Sequence, residues 1–177
     1  SNEDWLPTDT ELLITDICDL TQDDLGEYDY LVNFAAESHV DNSIKDGKPF
    51  VKTNVEGTYN LLELARKNKN LKKFVQIPTD EVYGDLDKLN LEVSFEENLL
   101  YPSSYYSATK ASADMLVFSC GHTFGLPYII TRTCNNFGVR QHHEKFIPTI
   151  MKSIVEDKPI PVYGDGKQIR EWIWVED

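Results

Sequence analysis

Phe74-Val75-Gln76-Ile77-Pro78-Thr79-Asp80-Glu81 sets a short apolar run against a polar turn that carries two adjacent carboxyls. Aromatic and β-branched residues in such a run predict a strand covered on both faces. The same plan recurs on either side. Tyr30-Leu31-Val32-Asn33-Phe34 leads into Ala35-Ala36, Tyr128-Ile129-Ile130-Thr131 leads into Asn135-Asn136, and Leu12-Leu13-Ile14 ends at Asp16. Amphipathic patterns fill the intervals. Residues 50–68 bear Val51, Val55, Leu61, Leu62, Leu64 and Ala65 as an apolar stripe, with Lys and Arg near its end. Residues 104–123 form a second helical pattern that stops near Gly125, before Pro127, and residues 146–156 form a third. Strands alternating with helices at this spacing predict an α/β domain with a doubly wound parallel sheet. In such sheets ligands bind beyond the carboxyl ends of the strands, where each polar cluster of this chain falls.

Composition narrows the function classes. The 177 residues suffice for one domain with a real core, and 41% hydrophobic with 27% charged residues is ordinary for a globular protein. The net charge of −13, with no Lys or Arg before Lys45, opposes non-specific binding to nucleic acid. It leaves room for a phosphorylated small molecule held by a few local cations. Cys18, Cys120 and Cys134 have no metal-ligand spacing and leave one thiol over in any disulfide scheme, so a reduced, cytoplasmic setting is expected and no metal. The apolar runs are far short of the roughly 18 residues a membrane span needs, and the acidic start does not read as a signal peptide.

Six groups of residues bear on chemistry. Tyr106 and Lys110 lie four apart on one helix and therefore share a face. An ammonium close to a phenol favours phenolate, which makes the pair a proton acceptor for a hydroxyl. Taken alone, Tyr-x-x-x-Lys also fits ordinary core packing. Thr79-Asp80-Glu81 offers two carboxyls that can divide acid and base work if their surroundings part their proton affinities, or a solvated turn ahead of Tyr83-Gly84. The alanines of Phe34-Ala35-Ala36-Glu37-Ser38-His39 let a ligand approach the backbone, while His39 by itself reads as structural. Asp16-Ile17 can cap a following helix or accept from an adenine amine. Asn135-Asn136 reads as a turn, and Lys145 and Arg170 as solvated cations, Arg being the better phosphate fork.

Taken together they point further. Asp16-Ile17, Ala35-Ala36-Glu37-Ser38-His39-Val40-Asp41, Thr79-Asp80-Glu81-Val82-Tyr83-Gly84, Tyr106-x-x-x-Lys110, Asn135-Asn136-Phe137-Gly138 and Arg170-Glu171-Trp172 follow one another in this order. In this the chain resembles the dTDP-glucose 4,6-dehydratases, within the extended short-chain dehydrogenases, from about Thr10 to its end. The resemblance implies an NAD-dependent hydro-lyase acting on a nucleotide-activated hexose. Tyr106, aided by Thr79, would take the proton of the 4-hydroxyl as hydride leaves carbon 4 for NAD. Glu81 would remove the proton on carbon 5, Asp80 would protonate the departing 6-hydroxyl, and hydride would return to carbon 6. Lys110 would orient the nicotinamide ribose and bias Tyr106 toward phenolate. The resemblance also assigns Asp16, Ile17, Phe34, Ala35, Ala36, Glu37, Ser38, Thr53 and Asn136 to the cofactor. It assigns Ser38, Thr79, Asn135, Lys145, Phe146, Pro161, Val162, Tyr163 and Arg170 to the nucleotide sugar.

The chain departs from the family pattern in places. Pro78 stands where a small polar residue is usual, Tyr105 where Pro is common and Phe137 where Tyr is common. No G-x-x-G-x-x-G phosphate loop occurs, so the chain is expected to be partial: residues 1–140 belonging to an NAD-binding unit that lacks its first strand and phosphate loop, residues 141–177 opening a nucleotide-sugar-binding portion. An epimerase or decarboxylase on the same scaffold, and a non-catalytic nucleotide-sugar-binding module, are the other readings. The resemblance also implies a homodimer in which the helices at 50–68 and 104–123 pair, and the run Met115-Leu116-Val117-Phe118, apolar over more than one face, supports it.

Overall fold

The computed structural model describes residues 6–86 and 93–177. Strands β1 (Tyr30–Asn33), β2 (Lys73–Gln76) and β3 (Tyr128–Ile130) form one parallel sheet in the order β1-β2-β3. A short helix α1 (Gln22–Leu25) precedes β1. Helices α2 (Val40–Lys45), α3 (Lys48–Phe50) and α4 (Thr58–Ala65) connect β1 to β2, and α5 (Tyr105–Phe124) connects β2 to β3. Beyond β3 come β4 (Asn135–Phe137), α6 (Phe146–Val155) and β5 (Trp172–Trp174), with β4 and β5 paired in parallel. No helix among the described residues is long and apolar enough to cross a membrane.

Local chemistry fixes α5, the longest element. The Ser104 hydroxyl accepts from the Ser107 N–H at 3.1 Å, and the Ser107 hydroxyl accepts from the Ser104 N–H at 3.0 Å. This reciprocal cap satisfies two donors that a helix start leaves orphaned. At the other end Gly125 takes φ +70, a left-handed conformation that stops the helix. Between the caps Val117 and Cys120 meet Leu61, Leu62 and Ala65 of α4 over Phe74 of β2, which is fully buried. Burying Phe74 and its neighbours removes the apolar area that drives this layer together.

Two expectations are corrected. Leu12–Ile14 forms no strand, and Ile14 is 82% exposed. A strand needs a ladder partner, and among the described residues β1 is paired only with β2. The helix expected over residues 50–68 is continuous in direction but not in type: Val51–Gly57 winds as a π-helix, and the α-helix ends at Ala65. At Gly57 a Cβ would overlap the Ile17 side chain, so the wide turn is where the segment after Asp16 lies directly on the helix.

A buried polar knot joins the layers. Asn33 Nδ2 donates to Gln76 Oε1 at 3.0 Å and to Thr58 Oγ1 at 3.3 Å, while its Oδ1 accepts from the Ala35 N–H at 3.1 Å. Asn33, Gln76 and Thr58 are each at most 2% exposed, so water cannot replace a lost partner. Asn33→Leu is therefore expected to destabilise the fold by about 1–3 kcal/mol for each buried group it strands. Adding Gln76→Leu should return part of that loss, because it removes the stranded amide. Urea unfolding of the two variants checks this, and a double variant as weak as the sum of two independent losses would count against the knot.

Candidate active site

The parallel sheet brings the carboxyl ends of β1, β2 and β3 to one edge, and the polar clusters gather there. After β2, Thr79 caps a 3₁₀ turn, Asp80–Tyr83. The Thr79 hydroxyl accepts from the Glu81 N–H at 3.3 Å and donates to Asp80 Oδ1 at 3.2 Å. The Asp80 N–H donates to the Thr133 carbonyl at 3.1 Å, which fixes the turn against the segment leaving β3. The acids are half-buried, not solvated. Burial pushes both carboxyls above their ordinary values. The negative charge of Asp80 pushes Glu81 further in the same direction, while Arg170 and Lys145 oppose this. Arg170 and Lys145, distant in sequence, thus act electrostatically on the acid turn.

Tyr106 and Lys110 face this turn from the first part of α5. Burial raises the Tyr106 phenol to about 12; the charges of Glu81 and Asp80 add to the rise, and a hydrogen bond with Thr79 opposes it. The Lys110 ammonium, only 3% exposed, donates to the Ile77 carbonyl at 2.7 Å. Burial lowers its proton affinity and the carboxylate of Asp114 partly restores it. Here the structure differs from the expectation that Lys110 draws Tyr106 toward phenolate. In the protein alone the ammonium is directed at a backbone carbonyl, and burial with two carboxylates holds the phenol protonated.

The proposed cofactor side is partly assembled. Asp16 Oδ2 accepts from Lys52 Nζ at 2.8 Å and Oδ1 from the Cys18 N–H at 2.9 Å, which holds the carboxyl at about 2. Asp16 therefore remains charged, with acceptor capacity facing solvent. Phe34 is 73% exposed and, with half-buried Ala35 and Ala36, offers an apolar ledge of little bulk beyond β1. This ledge and the acceptor beyond it fit a flat, partly apolar dinucleotide. Thr53 lies half-buried in the π turn. Ser38 is exposed, and its hydroxyl accepts from Lys145 Nζ at 3.4 Å, which joins the loop after β1 to the start of α6.

The remaining candidate residues lie in the segments after β3. Asn135 donates to the Glu171 carbonyl at 3.3 Å, and Asn136 donates to Thr133 Oγ1 at 3.1 Å and to the Cys134 carbonyl at 3.2 Å. Both amides thus hold backbone around the acid turn. Phe146 stacks on Trp172 with centroids 5.8 Å apart. Pro161, Val162 and Tyr163 stand exposed, and the Tyr163 carbonyl bonds within its own loop, to Gly166 and Gln168. An open groove of about 620 Å³, lined by Gln22, Asp23, Lys67 and Asn70 among others, lies at the opposite, amino ends of the strands. Its place in the fold separates it from the chemistry.

Sequence reasoning missed Asn54. This side chain is 1% exposed; its Oδ1 accepts from the Glu37 N–H at 2.9 Å, and its Nδ2 donates to the Glu37 carbonyl at 3.1 Å and to Thr109 Oγ1 at 2.9 Å. It binds the loop after β1 to the helix of Tyr106. An amide in the middle of an apolar helical stripe was the available signal.

Residues 4–177 match the NAD dependent epimerase/dehydratase family. The chain belongs to this family. It is 51% identical over 159 residues to the low-salt glycan biosynthesis protein Agl12 of Haloferax volcanii, covering 90% of this chain and 50% of that protein. It is 47% identical over 174 residues to the dTDP-glucose 4,6-dehydratase of Haemophilus influenzae, covering 92% of this chain and 51% of that enzyme. The crystal structure of DesIV, a dTDP-glucose 4,6-dehydratase of Streptomyces venezuelae with NAD bound, superposes with a TM-score of 0.85 at 41% identity, over 92% of this chain and 50% of that one. The chain spans about half the length of the relatives it matches. The Rossmann-like parallel sheet with crossover helices is thus that of the family.

The raised proton affinity of Glu81 has a consequence for stability. A carboxyl that binds its proton more tightly folded than unfolded stabilises the fold below its ordinary value of 4.5, and this contribution is lost as pH rises through the folded value. Glu81→Gln is accordingly expected to raise the thermal midpoint at neutral pH, with the gain shrinking to nothing below that ordinary value. Thermal melts of both proteins across the acid range check it. A variant less stable than wild type at neutral pH would show that the charge of Glu81 is well compensated.

Proposed function

We propose that the protein works as an NAD-dependent enzyme that removes water from a nucleotide-activated hexose, of the dTDP-glucose 4,6-dehydratase type. The observation that supports this reading best is the pair of half-buried carboxyls, both raised in proton affinity, on one turn with Thr79 and beside the Tyr106 phenol on which both act. A reaction that only oxidises and re-reduces one carbon needs a single proton acceptor. Elimination of water needs a further base and a further acid, and this turn supplies both.

In this reading residues 1–140 hold NAD and residues 141–177 begin the part that holds the nucleotide sugar. NAD, when bound against Asp16, the ledge of Phe34 to Ser38, Thr53 and Asn136, supplies a hydride acceptor and later a hydride donor. Tyr106 accepts the proton of the 4-hydroxyl, with Thr79 bonded to it and Lys110 beside the cofactor ribose. For that step the phenol must become easier to ionise than it is in the protein alone, and a substrate that separates it from the two carboxylates acts in that direction. Glu81 takes the proton from carbon 5, which the neighbouring ketone acidifies. Asp80 donates to the 6-hydroxyl as it leaves, a role that a raised proton affinity favours. Lys145 and Arg170, which already act on the acids, provide positive charge for the diphosphate, with Ser38, Asn135, Phe146 and the loop of Pro161, Val162 and Tyr163 around it. The free thiols at Cys18, Cys120 and Cys134 suit a cytoplasmic setting.

The assay is incubation of the intact protein with dTDP-glucose and detection of a 4-keto-6-deoxy product in alkali. An inverted hydroxyl with no loss of water would favour an epimerase, and binding without turnover a non-catalytic module. Glu81→Gln is expected to let NADH accumulate, and Asp80→Asn to slow water loss while exchange at carbon 5 persists, each lowering turnover by about 10²–10⁴. Variants within about threefold of wild type would overturn these roles, being far below that range.

The protein is further proposed to act as a homodimer through α5 and the helical segment before β2. Val117 is fully buried in its own core, but Met115 is 48% and Phe118 39% exposed on α5, and Val51 and Tyr59 are 52% and 54% exposed on the other segment. Met115→Asp should yield a monomer by light scattering without loss of helical content. A wild-type protein that is already monomeric at micromolar concentration would remove the proposal.

A further inference from the structure

Three hydrogen bonds at the ends of the turn that bears the two acids are long. The Val82 N–H reaches the Thr79 carbonyl at 3.4 Å, the Gly84 N–H reaches the Glu81 carbonyl at 3.2 Å, and the Glu81 N–H reaches the Thr79 hydroxyl at 3.3 Å. All are longer than the usual 2.9–3.0 Å of an N–H···O bond. The contacts from outside are shorter. The Tyr101 N–H donates to the Val82 carbonyl at 2.9 Å, the Asp80 N–H to the Thr133 carbonyl at 3.1 Å, and Arg132 Nη1 to the Tyr83 hydroxyl at 2.9 Å. The turn is thus fixed in position by its surroundings as well as by its own bonds.

Arg132 is the centre of those surroundings. Its Nε donates to Asp114 Oδ2 at 2.9 Å, and the two side chains are 9% and 0% exposed. Its Nη1 also donates to the Glu96 carbonyl at 3.3 Å, and its guanidinium lies 5.3 Å from the Tyr83 ring centroid and 5.9 Å from that of Phe118. Asp114 stands one helical turn after Lys110 on α5. A single guanidinium therefore spans from the helix of Tyr106 and Lys110 to the last residue of the acid turn. Arg forms such a fork in fixed geometry, which Lys cannot imitate. The cation that acts on Asp80 is Arg170, and those that act on Glu81 are Arg170 and Lys145; Arg132 is not among them. Its influence on the acids is through position.

Resting on the function proposed above, we infer that Asp114, Arg132 and Tyr83 form a strut that sets the depth of the acid turn against Tyr106, and that Arg132 and Tyr83 are positioning residues for water loss and not for the oxidation at carbon 4. Oxidation uses Tyr106, which α5 places without the strut. Water loss uses Glu81 and Asp80, which the strut places.

Tyr83→Phe removes one hydroxyl and leaves the Arg132–Asp114 pair in place. Two measurements test the strut. In the intact protein, amide exchange of the segment 79–84 should accelerate at least about tenfold while the buried part of α5 is unchanged, as a locally freed turn requires. With dTDP-glucose, dehydration should slow by about 10–100-fold with KM within about twofold, the scale of a misplaced catalytic group. NADH formation in a Glu81→Gln background should not slow. Arg132→Lys should give the same selective loss with an unchanged pH profile. Unchanged exchange at 79–84, or equal losses in oxidation and dehydration, would overturn the strut. The exchange measurement needs no substrate, so it decides the strut even if wild-type protein fails to turn over dTDP-glucose, a result that would instead remove the proposed function.

Discussion

The bond from the Lys110 ammonium to the Ile77 carbonyl joins the two parts of the site that matter most. It ties the first half of α5 to the end of β2, two residues before Thr79 begins the acid turn. A buried ammonium costs several kcal/mol unless its donors are met, so once α5 packs on the sheet this contact is required and not optional. Its geometry then determines much else. Tyr106 lies one turn earlier on the same face and must look toward Thr79, while Asp114, one turn later, must look toward Arg132. The registration of helix against strand and that of phenol against acids are one constraint.

The electrostatic character of the site follows from that closeness. Three groups that are neutral when protonated, Tyr106, Asp80 and Glu81, are crowded at a half-buried strand end, where Asp80 raises the proton affinity of Glu81 and both raise that of Tyr106. Positive charge arrives late in the chain, from Lys145 and Arg170, and acts on the acids without pairing them in a short salt bridge. Such partial compensation leaves both carboxyls above their ordinary values. Full ion pairs would have driven their proton affinities down, as Lys52 does to Asp16 at the other side of the edge. The same residue type is thus lowered in proton affinity in one place and raised in another, and the difference is the presence of a direct donor.

Much of this was legible in the sequence because it rests on local patterns. Tyr30–Asn33, Lys73–Gln76 and Tyr128–Ile130 are short β-branched or aromatic runs, and α5 announces itself by Ser104, Gly125 and Pro127. Leu12–Ile14 has the same composition and yet forms no strand, since a ladder depends on a neighbour and not on the run itself. The π turn at Val51–Gly57 was hidden because it follows from contacts across layers, Asn54 with Glu37 and Thr109 and Gly57 with Ile17, that periodicity cannot express. The acids, Tyr106 and Lys110 were readable from their motifs. Arg132 and Asp114 were not, because a lone Arg or Asp is by default a surface residue, and only the fold shows both of them inside.

The site and its frame are separable, and this bears on how one scaffold serves several reactions. The frame consists of the parallel strand ends, the Asn33 and Asn54 knots and the Lys110 and Arg132 contacts, none of which touches a reacting atom in the proposed chemistry. The chemistry of water loss rests on two side chains of one 3₁₀ turn. Since that turn is also fixed from outside, its acid side chains can change without disturbing the elements that carry it, provided Tyr83 and the backbone contacts at Asp80 and Val82 persist. A turn without the acid pair would leave Tyr106 and Lys110 able to support oxidation and reduction at one carbon, and nothing to expel a hydroxyl from the next but one. The distinction between dehydration and simpler redox chemistry on this sheet therefore comes down to whether Asp80 and Glu81 are carboxyls held at the right depth.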